Sequence, residues 1–286
     1  MKWSVLLVVN NYCRGDAVRA EHGLSMLLKG EPETGETGGV RRIMFDTGQS
    51  WDVLSHNAGI LGMDFSNVDT LVLSHGHYDH TGGLRGVLEH AAEDMILYAH
   101  PEAFLTKYSE KNGKRLISPP INKDEVKSFP IQFVEESLPL EIAPRMRMTG
   151  QIPRHHQFEE EAHKFLYVER DGQYLPDEVL DDQSIIIDGE DGGFYLICGC
   201  CHSGLLNTLE YAMKITGERR VLGIVGGLHM IGASDERLRL TVERLREYDP
   251  GFIAPLHCAG ARETAVLYRE LGEKVRFLGV GDTIEM

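Results

Sequence analysis

Three histidines and an aspartate fall within six residues of the segment Ser74-His75-Gly76-His77-Tyr78-Asp79-His80-Thr81-Gly82-Gly83. They follow an apolar run, Val68–Leu73, that reads as a strand. Side chains two apart on extended chain share a face, so His75 and His77 aim at one spot and can bind one divalent ion. Asp79 and His80 sit at the turn into the next helix, within reach of a second ion ~3.5–4 Å from the first. Carboxylate with imidazole suits zinc, manganese or iron. Packing alone explains this grouping poorly, because burying so many polar groups is costly unless something binds them.

The same design recurs later in the chain. Phe194–Cys198 runs into Gly199-Cys200-Cys201-His202-Ser203-Gly204, Val221–Val225 into Gly226-Gly227-Leu228-His229, and Phe252–Leu256 into His257-Cys258-Ala259-Gly260. Each apolar strand ends at small residues with a histidine among them, and a helix follows. In layered α/β proteins ligands gather at the carboxyl ends of strands. His202 and His257 are therefore expected to complete the metal shell, and His229 to touch either substrate or metal. The run Cys198-Gly199-Cys200-Cys201 lacks the further cysteine pairs that an iron–sulfur cluster or a zinc knuckle needs, so Cys198 reads as a buried strand thiol. Arg145, Arg147 and Arg154 form a local basic group, and guanidinium suits a phosphate on the substrate. Phe104, Tyr108 and Phe158 are candidates to line a pocket for a flat ring, or simply core.

The elements that must hold these residues alternate. Ser4–Val9, Leu24–Lys29 and Val40–Phe45 read as opening strands, the last two joined by a turn over Gly30–Gly39. Strand and helix then follow one another: Leu84–Ala92 as helix, Met95–Ala99 as strand. After a hairpin of Ser184–Ile187 and Phe194–Cys198 come helices over Leu205–Thr216, Asp235–Tyr248 and Arg262–Leu271, with Val275–Val280 as the closing strand. This implies layered α/β packing with mixed sheets. The stretch 101–182 holds eight of the eleven prolines and broken strand signals. It is read as an insertion or cap over the site within a single domain, 1–286.

Composition narrows the classes. At 286 residues, 42% hydrophobic and 26% charged, the chain is globular rather than disordered. No apolar run approaches the ~20 residues of a membrane span, and the N-terminus lacks the marks of a secretory signal. The formal charge of −15 repels phosphate backbones and argues against nucleic acid as partner. Five clustered cysteines form no disulfide framework and fit a reducing compartment, so a cytoplasmic location is expected, with a small molecule as partner and the oligomeric state open.

The histidine-rich segment resembles the signature motif of the metallo-β-lactamase superfamily. The chain is similar to the branch of metal-dependent hydrolases that includes the archaeal dihydropterin–ribofuranosylaminobenzene phosphate synthases. The likeness rests on Phe45-Asp46-Thr47-Gly48, Ser74 to Leu84, Thr149-Gly150-Gln151-Ile152-Pro153-Arg154, Gly199 to Gly204, Gly226 to His229 and His257 to Gly260. It implies a four-layer αβ/βα sandwich and a site for two divalent ions, zinc first, with manganese, iron or magnesium as alternatives. His75, His77, Asp79 and His80 match the first motif and His257 the closing histidine. Where relatives carry a bridging aspartate this chain has Cys200, with His202 just beyond; either fills that position, and His202 is favoured. His155 and His156 lie near the place of the intervening histidine. Asp46 is expected to orient a ligand histidine, and Arg154 falls in a branch motif. The implied activity is hydrolysis of a small phosphorylated substrate by a metal-bound hydroxide that Asp79 ligates and orients. The alternatives are a transferase joining a dihydropterin methyl diphosphate to ribofuranosylaminobenzene 5'-phosphate, and a sensor that binds metal or ligand without turnover.

Overall fold

The computed structural model describes residues 1–32, 39–159 and 164–286. Most of the turn expected over Gly30–Gly39, residues 33–38, lies outside them. Two compact units are present.

The first unit comprises Met1–Lys107, Leu116–Glu136 and Gly279–Met286. Its seven-stranded sheet has the order Thr283–Glu285, Lys2–Val9, Ser25–Glu31, Arg41–Phe45, Thr70–Val72, Ile96–Ala99, Gln132–Glu135. Pairing is antiparallel up to Arg41–Phe45 and parallel beyond it. The change follows from the connections, since parallel neighbours need a crossover and the helices Trp51–Ile60, Leu84–His90 and Lys123–Lys127 supply one each. Trp51–Ile60 starts at Ser50, whose Oγ accepts the Val53 N–H, while the Glu21 carboxylate accepts the N–H groups of Gln49 and Ser50 at 3.0 Å each. Val8, Leu27, Met44, Leu54, Leu71, Leu84 and Leu97 are among the apolar residues packed between sheet and helices.

The second unit comprises Tyr108–Arg115 and Ser137–Leu278. Its six-stranded sheet has the order Ile253–Leu256, Val221–Gly227, Phe194–Cys198, Ser184–Asp188, Met146–Met148, Leu140–Ala143. The first three strands run parallel, joined by the crossover helices Leu205–Thr216 and Asp235–Tyr248. Registers Cys198↔Gly226 and Gly227↔Leu256 bring the carboxyl ends of these three strands level. Leu196, Leu205, Leu209, Ile224, Leu238, Leu245 and Ile253 belong to the core beneath.

Residues 101–182 supply the edge strand Gln132–Glu135 to the first of these sheets, and to the second the edge strand Leu140–Ala143 with its inner neighbour Met146–Met148, which pairs with Ser184–Asp188. Pro130, Pro139 and Pro144 bracket these short strands, as suits proline, which lacks the N–H a central strand must donate. The closing strand differs from expectation. Val275 and Val280 make isolated bridges, to Ile253 and Cys13, without forming a strand, and the last strand is Thr283–Glu285, an edge strand paired with Ser4–Leu6. Among the described residues no helix is long and apolar enough to cross a membrane.

Candidate metal centre

In the first unit, strand Thr70–Val72 delivers Leu73 and Ser74 into the histidine segment, and a four-residue helix, Tyr78–Thr81, carries Asp79 and His80. His75 and His80 are fully buried and His77 and Asp79 nearly so. The backbone here is packed tightly. A Cβ on Gly76 would lie 1.7 Å from the Ala103 carbonyl oxygen, and one on Gly82 1.8 Å from that of Gln49, so only glycine fits either place. Thr47 donates its N–H to the His80 carbonyl at 2.7 Å, which ties the Asp46-Thr47-Gly48 loop to the back of the helix.

Asp46 organises the rings. Its carboxylate accepts the Ser74 N–H at 2.7 Å and the Ser74 hydroxyl at 2.6 Å, and lies 2.7 Å from His80 Nδ1. Since Ser74 spends its one proton on Asp46, the 2.9 Å contact between its Oγ and His75 Nδ1 makes the histidine the donor. Both His75 and His80 thus carry the proton on Nδ1, and Nε2 of each keeps its lone pair for a ligand. Asp46 adopts this position with φ of 62°, a left-handed conformation that costs energy in a non-glycine residue.

The donor set suits a divalent ion. His75 Nε2 lies 3.0 Å from His77 Nδ1, close to the ~3.3 Å that two nitrogens on one tetrahedral ion adopt at Zn–N ≈ 2.0–2.1 Å. Burial holds His75 well below the ordinary imidazole range, with repulsion from His80 and His77 adding to it, so the ring stays neutral as a ligand must be. The buried Lys107, whose charge also acts on His75, was not anticipated from sequence; nothing in its local pattern distinguishes it from a surface lysine. Nor was His22, half-exposed, with Nε2 3.0 Å from Asp79 Oδ2. It comes from a loop distant in sequence.

In the second unit the three level strand ends carry Cys200, His202, His229, His257 and Cys258. Left-handed φ values occur at Cys201 (61°), His229 (42°) and His257 (48°), a concentration of backbone strain at one rim. Cys200 Sγ lies 3.1 Å from Cys258 Sγ and 3.4 Å from His229 Nδ1. The His202 and His229 rings pack with centroids 4.1 Å apart. Burial opposes ionisation of the Cys258 thiol, but its hydrogen bond with Cys200 and the nearby His257 and His229 rings outweigh that and hold it well below the usual thiol range. Cys198 and Cys201 lie in the core, as expected for Cys198; the Cys201 thiol is pushed up by its hydrogen bond with Cys198 and by burial.

Arg154 donates from Nη2 to the Val179 carbonyl at 3.1 Å and reaches Ser203 Oγ at 3.5 Å, beside the His202 loop; its Nε is buried without a partner among the described residues. Arg145 and Arg147 are not part of the same group. Arg145 donates to the Asp188 carbonyl at 3.0 and 2.6 Å, and Arg147 pairs with the Asp188 carboxylate, so neither is open to a phosphate. His155 and His156 serve the helix Leu205–Thr216: both backbone N–H groups donate to Asn207 Oδ1, and His156 pairs with Glu210 at 3.1 Å.

The profile of the metallo-β-lactamase superfamily matches residues 36–257, from ahead of Asp46 through the histidine segment to His257. The chain belongs to the metallo-β-lactamase superfamily. Its mixed α/β architecture with several sheets is that fold. A solved metal-dependent hydrolase of the β-lactamase superfamily superposes with a TM-score of 0.81 at 28% identity, covering 99% of each chain. Two relatives come from Methanocaldococcus jannaschii. An uncharacterized protein is 34% identical over 84% of this chain and 85% of its own length. The 7,8-dihydropterin-6-methyl-4-(β-D-ribofuranosyl)-aminobenzene-5'-phosphate synthase is 27% identical over 93% of this chain and 90% of its own. The superfamily membership and the His, Asp and Cys groupings agree with a divalent-metal protein.

Proposed function

We propose that this chain is a metal-dependent hydrolase acting on a small phosphorylated molecule with water as nucleophile. The observation that carries the reading is the Asp46–Ser74 network, which fixes the tautomers of His75 and His80 so that unprotonated ring nitrogens are presented from a buried position. That is an arrangement for ligation, and packing gains nothing from it. The ligands for divalent ions, two per chain and zinc first, are His75, His77, Asp79 and His80 in the first unit and His202 and His257 in the second. When bound, such ions supply Lewis acidity and a nucleophilic water at neutral pH. Asp79 orients the attacking water, Asp46 holds His80, and Arg154 with Ser203 receives the phosphate.

The likeness to the dihydropterin synthase supports a second reading, joining of a dihydropterin methyl diphosphate, through its methylene carbon, to ribofuranosylaminobenzene 5'-phosphate with release of pyrophosphate. One experiment separates them. The zinc-loaded chain is assayed against a panel of phosphomonoesters and phosphodiesters, and separately with the pterin diphosphate and the aryl ribosyl phosphate together. Release of phosphate or alcohol from the first panel, abolished in His77→Ala, supports hydrolysis. Pyrophosphate release that requires both pterin-side substrates supports transfer. Two bound ions with neither activity would sink both and favour a sensor.

A further inference from the structure

Asp79 is the one acidic residue in the ligand set proposed above, and the half-exposed His22 lies against its carboxylate. We propose that His22 is a positioning residue for Asp79, donating a hydrogen bond that holds the carboxylate in one orientation as it ligates and orients water. The inference rests on the assignment of Asp79 as a ligand. Its geometry starts at Asn11. The Gly23 N–H donates to Asn11 Oδ1 at 3.1 Å, which settles the orientation of that amide. Its donor end, Nδ2, therefore faces His22 Nδ1 at 3.3 Å. Nδ1 accepts, so the ring proton sits on Nε2, and Nε2 lies 3.0 Å from Asp79 Oδ2, a hydrogen-bond distance. A neutral ring serves Asp79 as a donor in this arrangement, with no charge required of it.

The loop that carries His22 is pinned on both sides of it. The Glu21 N–H donates to the Asn10 carbonyl at 3.2 Å, and the Glu21 carboxylate holds the Gln49 and Ser50 N–H groups. The Leu24 N–H donates to the Asp79 carbonyl at 3.2 Å. Gly23 passes so close that a Cβ there would stand 2.7 Å from that same carbonyl oxygen. His22 is thus registered against both the backbone and the side chain of Asp79. A carboxylate whose orientation is fixed before the ion arrives loses less freedom on ligation, which is how a supporting donor strengthens a ligand it does not replace.

The test is cobalt(II) binding by the full-length chain, stripped with chelator and titrated in competition with a chromogenic chelator while the visible ligand-field bands are recorded. His22→Leu should weaken cobalt affinity by about tenfold, the scale of a lost supporting partner, and alter the bands. The thermal midpoint of the metal-free chain should stay where it is, because the side chain replaced is half-exposed. His22→Gln, which keeps an N–H donor, should recover most of the affinity and the wild-type bands. In an Asp79→Asn background His22→Leu should cost nothing further, since its effect passes through the carboxylate. Unchanged affinity and bands in His22→Leu overturn the proposal, as does a lowered midpoint with unchanged affinity, which would make His22 a loop tie only. Equal loss in His22→Gln and His22→Leu overturns it too, by making the ring a ligand in its own right, and so do additive losses in the double variant. No substrate enters the experiment, so a failed hydrolase assay leaves it standing, whereas a wild type that binds no cobalt removes the metal reading and this inference together.

Discussion

The Asp46 carboxylate is fully buried and receives Ser74 twice and His80 once. Asp46→Asn keeps its size but turns one acceptor into a donor facing groups that already donate. Metal affinity should fall by about 10–100-fold, the usual cost of removing a ligand's supporting partner, while the fold survives. Competition against a chromogenic chelator measures it, and unchanged affinity would mean that His80 is not held through Asp46. Arg154 makes a separate prediction. Arg154→Ala should raise KM for phosphorylated substrates by about tenfold, the scale of one lost charge-assisted hydrogen bond, and leave neutral esters nearly unaffected. Equal losses on both would remove the phosphate role.

At the scale of elements, the helix Leu205–Thr216 starts at Gly204, which has no side chain to cap it. Glu159 does so from a distant loop, accepting the N–H of Leu206 at 2.9 Å and of Asn207 at 3.0 Å. Glu159→Ala should cost about 1–2 kcal/mol in denaturant unfolding, the range for lost caps. Burial raises the Glu159 pKa above its ordinary 4.5 despite those two bonds. The folded state therefore keeps a proton that the unfolded state releases first. As pH climbs from 4.5 to the folded value, stability from this group falls, and it is restored on acidification. Unfolding curves across that window should show the slope in wild type and lose it in Glu159→Gln; an identical slope in both would place the titration elsewhere. In the first unit Gly76→Ala should fail to fold stably, because its methyl would meet the Ala103 backbone rather than a side chain able to move.

For the whole molecule, the formal charge of −15 sets the long-range field. An anionic substrate is repelled on approach, so kcat/KM for phosphorylated compounds should rise as salt goes from low to physiological strength and screening shortens to ~8 Å. A fall would reveal a local positive field strong enough to steer. Chelation should also lower the thermal midpoint reversibly, since ions that bind only the folded chain stabilise it by about 4 kcal/mol at a thousandfold excess over Kd. A midpoint indifferent to chelator and to added zinc would count against any metal centre.

How much of this was legible beforehand follows from the range of the interactions. The sequence by itself determined the histidine segment, the strand ends at Gly199, Gly226 and His257, and the helices Leu205–Thr216 and Asp235–Tyr248, because each is written in contiguous residues with strong periodicity or spacing. The superfamily was legible for the same reason. The short strands around Pro130, Pro139 and Pro144, and the true closing strand Thr283–Glu285, were not, because strands of three or four residues carry little pattern of their own. Only the tertiary structure brought Lys107 and His22 to the first cluster, paired Arg147 with Asp188, and set Cys200 against Cys258. Those contacts join residues tens of positions apart, and their partners are chosen by strand register and crossover geometry, which no local stretch of sequence encodes.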